Sequence, residues 1–226
     1  VWKELVRALE SPAPQSFHAE LRDAAALARV LPEVDRLWGV PQPAHWHPEI
    51  DTGVHTLMVL EQAAQLSADP VVRFAALTHD LGKGTTPPEI LPSHRGHAER
   101  GVAIVDALCA RLRAPARFRE LARVVARYHG HVHRAAELRP GTLLDLFEAV
   151  DAFRRPGRLE QVLLACEADY RGRLGFEDRL YPQAGLIREA FQAAFAVDAA
   201  SIAVAAPGRV AEQLRQARVA AIRRLH

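Results

Sequence analysis

Apolar residues recur along this chain three and four positions apart, the signature of one face of an α-helix. The pattern predicts helices over Trp2–Leu9 and Phe17–Val30, separated by Ser11-Pro12-Ala13-Pro14. A loop with Pro41, Pro43 and Pro48 follows from Leu37 to Ile50 and reads as a junction between an N-terminal helical piece and the next unit. Beyond Asp51 nearly every segment is helical: Thr52–Leu66, Pro70–Leu81, His97–Leu112, Pro115–His129, Thr142–Phe153, Leu159–Gly172, Leu186–Phe195 and Gly208–Arg224. Asp69 is placed as an N-cap, with Pro70 at the first helical position. No segment shows the period-2 alternation of a strand, and no internal repeat is evident. The expected architecture is all-α, an orthogonally packed helical bundle with flanking helices.

Composition changes this picture little. Of 226 residues, 49% are apolar, ordinary for a packed globular chain. Ala, Leu and Arg dominate and β-branched residues are sparse, which favours helix. A net charge of +2 is too small to argue for nucleic acid by itself. Cys109 and Cys166 are expected to be free buried thiols in a reducing compartment. No apolar run reaches ~18 residues and no signal peptide is visible, so the expectation is a soluble cytoplasmic protein with no membrane partner. The chain begins with Val1, which suggests a cut or processed end.

The chemistry concentrates at His79-Asp80-Leu81-Gly82-Lys83. Adjacent His and Asp offer a nitrogen and an oxygen ligand to one divalent cation. Gly82 and Gly84 stop the helix and permit close backbone approach to a ligand. Lys83 then stands where a point charge would hold a phosphate, the alternative being a plain solvated lysine at a helix end. His55 lies on the stripe of Met58 and Val59, and His79 shares its face with Val72, Ala75 and Ala76. Asp151 follows Leu144 and Phe147 by seven and four residues, an apolar face where a carboxylate is costly without a partner. A shared metal is the natural compensation for these inward groups; each alone is equally a hydrogen-bonded core residue. Six of the eleven histidines fall between 79 and 133. His97 and His129 are candidates for a second metal, for supporting the first, or for phosphate contact. His94, His131 and His133 carry no assigned role, and His45 and His47 read as structural.

His55, His79-Asp80 and Asp151 resemble the H…HD…D pattern of the HD superfamily of metal-dependent phosphohydrolases. Longer motifs narrow the likeness. Trp46-His47-Pro48-Glu49-Ile50-Asp51-Thr52-Gly53, His79-Asp80-Leu81-Gly82-Lys83-Gly84, Thr86-Pro87-Pro88-Glu89 and Cys166-Glu167-Ala168-Asp169 are similar to the C-terminal half of bacterial multifunctional CCA proteins, tRNA nucleotidyltransferases with an appended HD domain. The resemblance implies three segments: 1–50, like the end of a nucleotidyltransferase body; 51–155, an HD phosphohydrolase domain; and 156–226, a C-terminal helical region with candidate tRNA contact. It implies metal ligands His55, His79, Asp80 and Asp151, catalytic roles for Asp80 and Lys83, and a divalent cofactor (Mg, Mn or Ni). Implied activities are 2′,3′-cyclic phosphodiesterase, 2′-nucleotidase and phosphatase, on tRNA 3′ ends or small nucleotide phosphates. The family's Gly-Ser loop and paired transfer carboxylates have no match here, so CCA addition is not expected of this chain. An N-terminal nucleotidyltransferase domain is an implied partner.

Two other classes compete. An HD scaffold could grip tRNA with vestigial catalysis. The basic segment with Arg209, Arg215, Arg218, Arg223 and Arg224, and a second cluster at Arg154, Arg155 and Arg158, would suit that reading, or would simply be solvated helix faces. A nucleotide-signalling HD enzyme is the third; the Gly-Tyr-Pro motif of cyclic-di-GMP hydrolases is absent.

Overall fold

A computed structural model describes residues 1–225. It is all-α, as the periodicity predicts. Thirteen α-helices occur among the described residues, in the order α1 (Trp2–Glu10), α2 (Pro14–Asp23), α3 (Leu27–Val30), α4 (Pro32–Asp35), α5 (Thr52–Leu66), α6 (Pro70–Thr78), α7 (His97–Leu112), α8 (Ala116–His133), α9 (Pro140–Ala149), α10 (Pro156–Arg171), α11 (Pro182–Phe195), α12 (Ala199–Ala205) and α13 (Val210–Arg223). Short 3₁₀ turns span Leu81–Thr85, Pro88–Ile90 and Ala135–Glu137. The described residues contain no strand, only a bridge between Pro41 and Asp51.

The helix starts follow from their caps. Asp51 accepts from Val54 N–H at the head of α5, and Asp69 accepts from Val71 N–H at the head of α6, where Pro70 costs no hydrogen bond. The helix expected over 17–30 is interrupted. The α2 helix stops at Asp23 and Ala25 adopts φ +52°, a left-handed turn that separates α2 from α3. The α6 helix ends at Thr78, and the chain tightens into the 3₁₀ turn that carries Lys83.

Two compact units form. The first comprises residues 1–130 and 160–180; the second comprises 131–159 and 181–226, described to 225. The first fifty residues therefore share a unit with the helices between 52 and 130, the loop expected as a junction lies inside it, and the last part of the segment expected as the HD domain, 131–155, falls in the second unit.

In the first unit, Trp2, Phe74 and Phe118 meet edge-to-face at centroid distances of 4.8–5.8 Å. Arg73 fastens the N-terminal helices beneath them. Its buried guanidinium donates to Leu9 O (2.6 Å), Ser11 O (2.8 Å), Ser67 O (2.7 Å) and Ala64 O (3.1 Å). Two glycines set the backbone spacing around the later site. A Cβ on Gly82 would lie 1.9 Å from His97 O, so the 3₁₀ turn abuts α7 backbone to backbone. A Cβ on Gly172 would lie 2.6 Å from Val59 Cα, which brings the end of α10 directly onto α5. The close approach expected of Gly82 is thus made to a neighbouring helix.

In the second unit, Phe191 packs against Phe147 and Phe153 at 5.3 and 5.5 Å. Arg218 lies over the Phe153 ring at 3.6 Å, and Ile222 is fully buried. Among the described residues, no helix is long and apolar enough to cross a membrane. Cys109 and Cys166 are free and buried, as expected.

Candidate metal centre

Four histidines of the first unit are held the same way. His55 Nδ1 donates to Gly172 O (3.1 Å), His79 Nδ1 to Ala76 O (2.7 Å), His97 Nδ1 to His94 O (2.8 Å) and His129 Nδ1 to Val125 O (3.0 Å). A backbone carbonyl only accepts, so each Nδ1 carries a proton and each Nε2 is the nitrogen left to face the other side chains. Neighbouring rings of the row His55, His79, His129, His97 stand 5.3–5.6 Å apart. Their Nε2 atoms converge on two carboxylates. Asp169 Oδ1 is 3.1 Å from His55 Nε2 and 3.5 Å from His79 Nε2. Asp80 Oδ2 is 3.1 Å from His79 Nε2, while Asp80 Oδ1 is 3.5 Å from His129 Nε2 and 3.6 Å from His97 Nε2.

Two donor sets result, His55, His79 and Asp169, and Asp80, His97 and His129, each with ligand atoms within 4.8 Å of one another; a third, His47, Glu49 and His55, adjoins the first through His55. His79, which belongs to the first, touches Asp80, which belongs to the second. The residues fit a divalent cation on two grounds. The nitrogen and oxygen donors are those a borderline cation takes, with each imidazole's other nitrogen already engaged. In addition, His79 Nε2 and Asp80 Oδ1 are buried and make no hydrogen bond.

The electrostatics agree. Burial disfavours the charged form of His79, but the carboxylates of Asp80 and Asp169 outweigh it and raise its pKa to about 10. Burial likewise opposes an ionised Asp80, yet His79 and Lys83 hold that carboxyl well below its usual range. His129 is pushed down to about 3, chiefly by burial. The pocket thus keeps the Asp80 carboxylate ionised and calls for positive charge beside it. Lys83 provides part of it: its Nζ lies 2.6 Å from Asp80 Oδ2 and 2.5 Å from Gln42 Oε1. The lysine is buried, so the solvated helix-end alternative does not describe it.

Of the four ligands expected from the sequence, the structure brings together His55, His79 and Asp80. Asp151 is a correction. The α9 helix ends at Ala149, and Asp151 lies beyond it at φ +61°, so the helical face inferred from Leu144 and Phe147 does not extend to it. It belongs to the second unit, its carboxylate sits 3.5 and 3.6 Å from exposed Arg154 and Arg155, and it joins none of the convergent donor sets among the described residues. The carboxylate beside His55 and His79 is Asp169, from α10. Sequence reasoning quoted it in a motif without giving it a role. Its signal was present: Ala165 and Cys166, four and three residues before it, are fully buried.

The remaining histidines divide. His94 is bonded on both sides, Nδ1 to Thr86 Oγ1 (2.8 Å) and Nε2 to Pro41 O (3.0 Å), and burial lowers its pKa to about 4. His47 Nδ1 donates to Glu49 Oε1 at 2.9 Å, and the same oxygen lies 2.9 Å from His55 Nδ1. Glu49 Oε2 in turn accepts from Leu174 N–H. Gln42 and Glu49, both missed from sequence, thus tie the loop before α5 to Lys83 and His55. His45 stacks near Trp46, and His133 Nδ1 meets Tyr181 Oη at 2.9 Å. His131 lines a cavity of about 330 Å³ with Arg134 and Arg139 in the second unit.

The C-terminal arginines are largely engaged within the second unit. Arg209 pairs with Glu212, Arg215 with Asp145 and Glu148, and Arg218 with the Phe153 ring.

A helical unit whose His and Asp donors converge from α5, the end of α6, α7, α8 and α10 is the arrangement of an HD domain. The HD domain family matches residues 52–172, more than half of the chain, and the chain belongs to it. This is a family of metal-dependent phosphohydrolases. The relatives are specific: the chain is 63% identical over 199 residues to the Multifunctional CCA protein of Thioalkalivibrio sulfidiphilus, an alignment covering 88% of this chain and 49% of the relative. It is 61% identical over 226 residues to that of Nitrosococcus oceani (99% and 55% covered) and 58% identical over 231 residues to that of Methylococcus capsulatus (100% and 54%). The chain spans about half the length of the curated relatives it matches.

Proposed function

We propose that this chain is the phosphohydrolase module of a CCA tRNA nucleotidyltransferase. It would act on 2′,3′-cyclic phosphates, 2′-phosphates and related phosphomonoesters, at tRNA 3′ ends or on small nucleotides. Its metal ligands would be His55, His79, Asp80 and Asp169, with His97 and His129 joining Asp80 for a second cation; Mg, Mn and Ni suit the donor set. The proposed partners are the tRNA 3′ end and a nucleotidyltransferase domain.

The observation that carries this reading is the shared orientation of the four imidazoles. Each has its Nδ1–H spent on a main-chain carbonyl, and each Nε2 faces the carboxylates of Asp80 and Asp169. A bound divalent cation supplies an acidified water and polarises a phosphoryl oxygen. The chain's own groups do the rest. Asp80 offers one oxygen to a ligand position and the other to Lys83. Lys83 has three N–H donors; Asp80 and Gln42 take two, which leaves one for a phosphoryl oxygen. Opening a 2′,3′-cyclic phosphate and releasing a 2′-phosphate place charge on the same oxygens, so one site serves both.

The test is turnover of 2′,3′-cAMP and of a 2′-phosphate nucleotide by the purified chain. EDTA should abolish both, Mg, Mn or Ni should restore them, and His79→Ala should abolish them while retaining helix content. Hydrolysis at the wild-type rate in His79→Ala would refute the site. The engagement of Arg209, Arg215 and Arg218 within the second unit favours the enzyme over a purely tRNA-gripping scaffold.

A further inference from the structure

Gln42 lies in the loop between α4 and α5, ten residues before the HD match begins. Its side chain is buried against the metal centre. The orientation of its amide is fixed by chemistry: an ammonium has no acceptor, so the atom 2.5 Å from Lys83 Nζ must be Oε1. The amide nitrogen is then turned to its other side, where Nε2 is buried and has no hydrogen-bond partner. An unpaired buried amide donor is unfavourable and calls for a reason.

The loop is not slack. Gln42 N–H donates to Ile50 O (2.8 Å), and Pro41 O accepts from His94 Nε2 (3.0 Å). If position 42 served only to hold Lys83, a carboxylate would do so better, because the bond would be charge-assisted at both ends. A glutamine gives Lys83 an acceptor without cancelling its charge, and it adds N–H donors beside that charge. Neutral donors next to an ammonium suit an anionic oxygen.

We propose that Gln42 is a substrate-binding residue: its Nε2–H and the uncommitted N–H of Lys83 together grip the non-bridging oxygens of a phosphate ester or of the phosphate product. This rests on the phosphohydrolase reading above and assigns a phosphoryl-binding role outside the HD match.

The test uses the full chain, loaded with whichever of Mg, Mn or Ni supports hydrolysis, and inorganic phosphate as probe. Phosphate affinity is measured by calorimetry and as competitive inhibition of 2′,3′-cAMP turnover, alongside metal affinity. Gln42→Glu keeps an acceptor for Lys83 and removes the donor but adds a charge that pairs with the lysine; Gln42→Met removes donor and acceptor and adds no charge. Both variants should bind phosphate about ten- to a hundred-fold more weakly, the worth of a hydrogen bond to a charged group, with metal affinity no weaker than wild type. Phosphate affinity in Gln42→Glu within two-fold of wild type would overturn the proposal and leave Gln42 as a positioning residue for Lys83. Gln42→Met separates the lost donor from repulsion by a new carboxylate, and wild-type affinity in either variant overturns the proposal, so the nearly isosteric Gln42→Glu keeps it refutable even if Gln42→Met misfolds. A wild-type chain without metal-dependent turnover would instead overturn the phosphohydrolase reading, a different outcome from active wild type with an unaffected Gln42→Glu.

Discussion

Exchanging the two aspartates that compete for one ligand position tests the metal centre most directly. Asp169→Asn keeps the size and one acceptor but removes a buried negative charge. Its Oδ1 lies 3.1 and 3.5 Å from His55 Nε2 and His79 Nε2. Asn keeps an acceptor but not the charge that a cation would meet, so a net loss of about 3 kcal/mol is expected, the lower range for breaking a buried charge pair. That corresponds to metal binding weaker by about a hundred-fold. Asp151→Asn is the control. The Asp151 side chain is 29% exposed and faces Arg154 and Arg155, themselves 76% and 55% exposed, and such pairs contribute about 0–1 kcal/mol. Asn also tolerates the left-handed conformation at φ +61°, so the exchange adds no strain. Calorimetric titration of the EDTA-stripped protein with Mn or Ni should therefore show a large loss in Asp169→Asn and wild-type affinity in Asp151→Asn. The reverse pattern would refute the assignment and restore Asp151 as the ligand.

Three further outcomes follow from the packing. Arg73→Met removes four hydrogen bonds and strands Leu9 O, Ser11 O, Ser67 O and Ala64 O; chemical denaturation should report a loss of about 3–5 kcal/mol, and a loss under 1 kcal/mol would deny the guanidinium its fastening role. Gly82→Ala places a Cβ 1.9 Å from His97 O, which neither backbone can avoid without moving; metal affinity should fall at least ten-fold and stability with it, and an unperturbed variant would contradict the close approach. His18 is fully buried with Nδ1 on Pro14 O, and burial lowers its pKa below 6.5. The unfolded chain thus binds a proton that the native chain does not, so this histidine's contribution is complete above about pH 6.5 and is lost as pH falls through the folded-state value. His18→Asn keeps a donor for Pro14 O and should flatten the decline of stability below that pH; an unchanged slope would mean that His18 titrates normally.

How much of this was legible in the chain depends on the range of the interaction. The helices over 52–66, 97–112 and 116–133 rest on local periodicity and on caps such as Asp51 and Asp69, and these are sequence-local facts. The break at Ala25 was not legible, because a left-handed φ at alanine is imposed by packing and carries no glycine to announce it. His55, His79 and Asp80 were legible because an ionisable group on an apolar helical face needs a partner. The same argument misplaced the last ligand. It extrapolated the face of α9 two residues past the end of that helix to Asp151, where helical spacing no longer governs direction. Asp169 satisfies the argument properly: it sits inside α10, behind buried Ala165 and Cys166, and the Gly172 turn that follows presses onto Val59 and delivers its carbonyl to His55.

The loop residues Gln42 and Glu49 had no periodicity to read, since their partners Lys83 and His55 lie forty-one and six residues away on other elements. Their place follows from three-dimensional closure alone. Hence substitutions at Gln42 and Glu49, outside the HD match, should alter the chemistry of Lys83 and His55 while sparing α5 and α6, which start on their own caps Asp51 and Asp69.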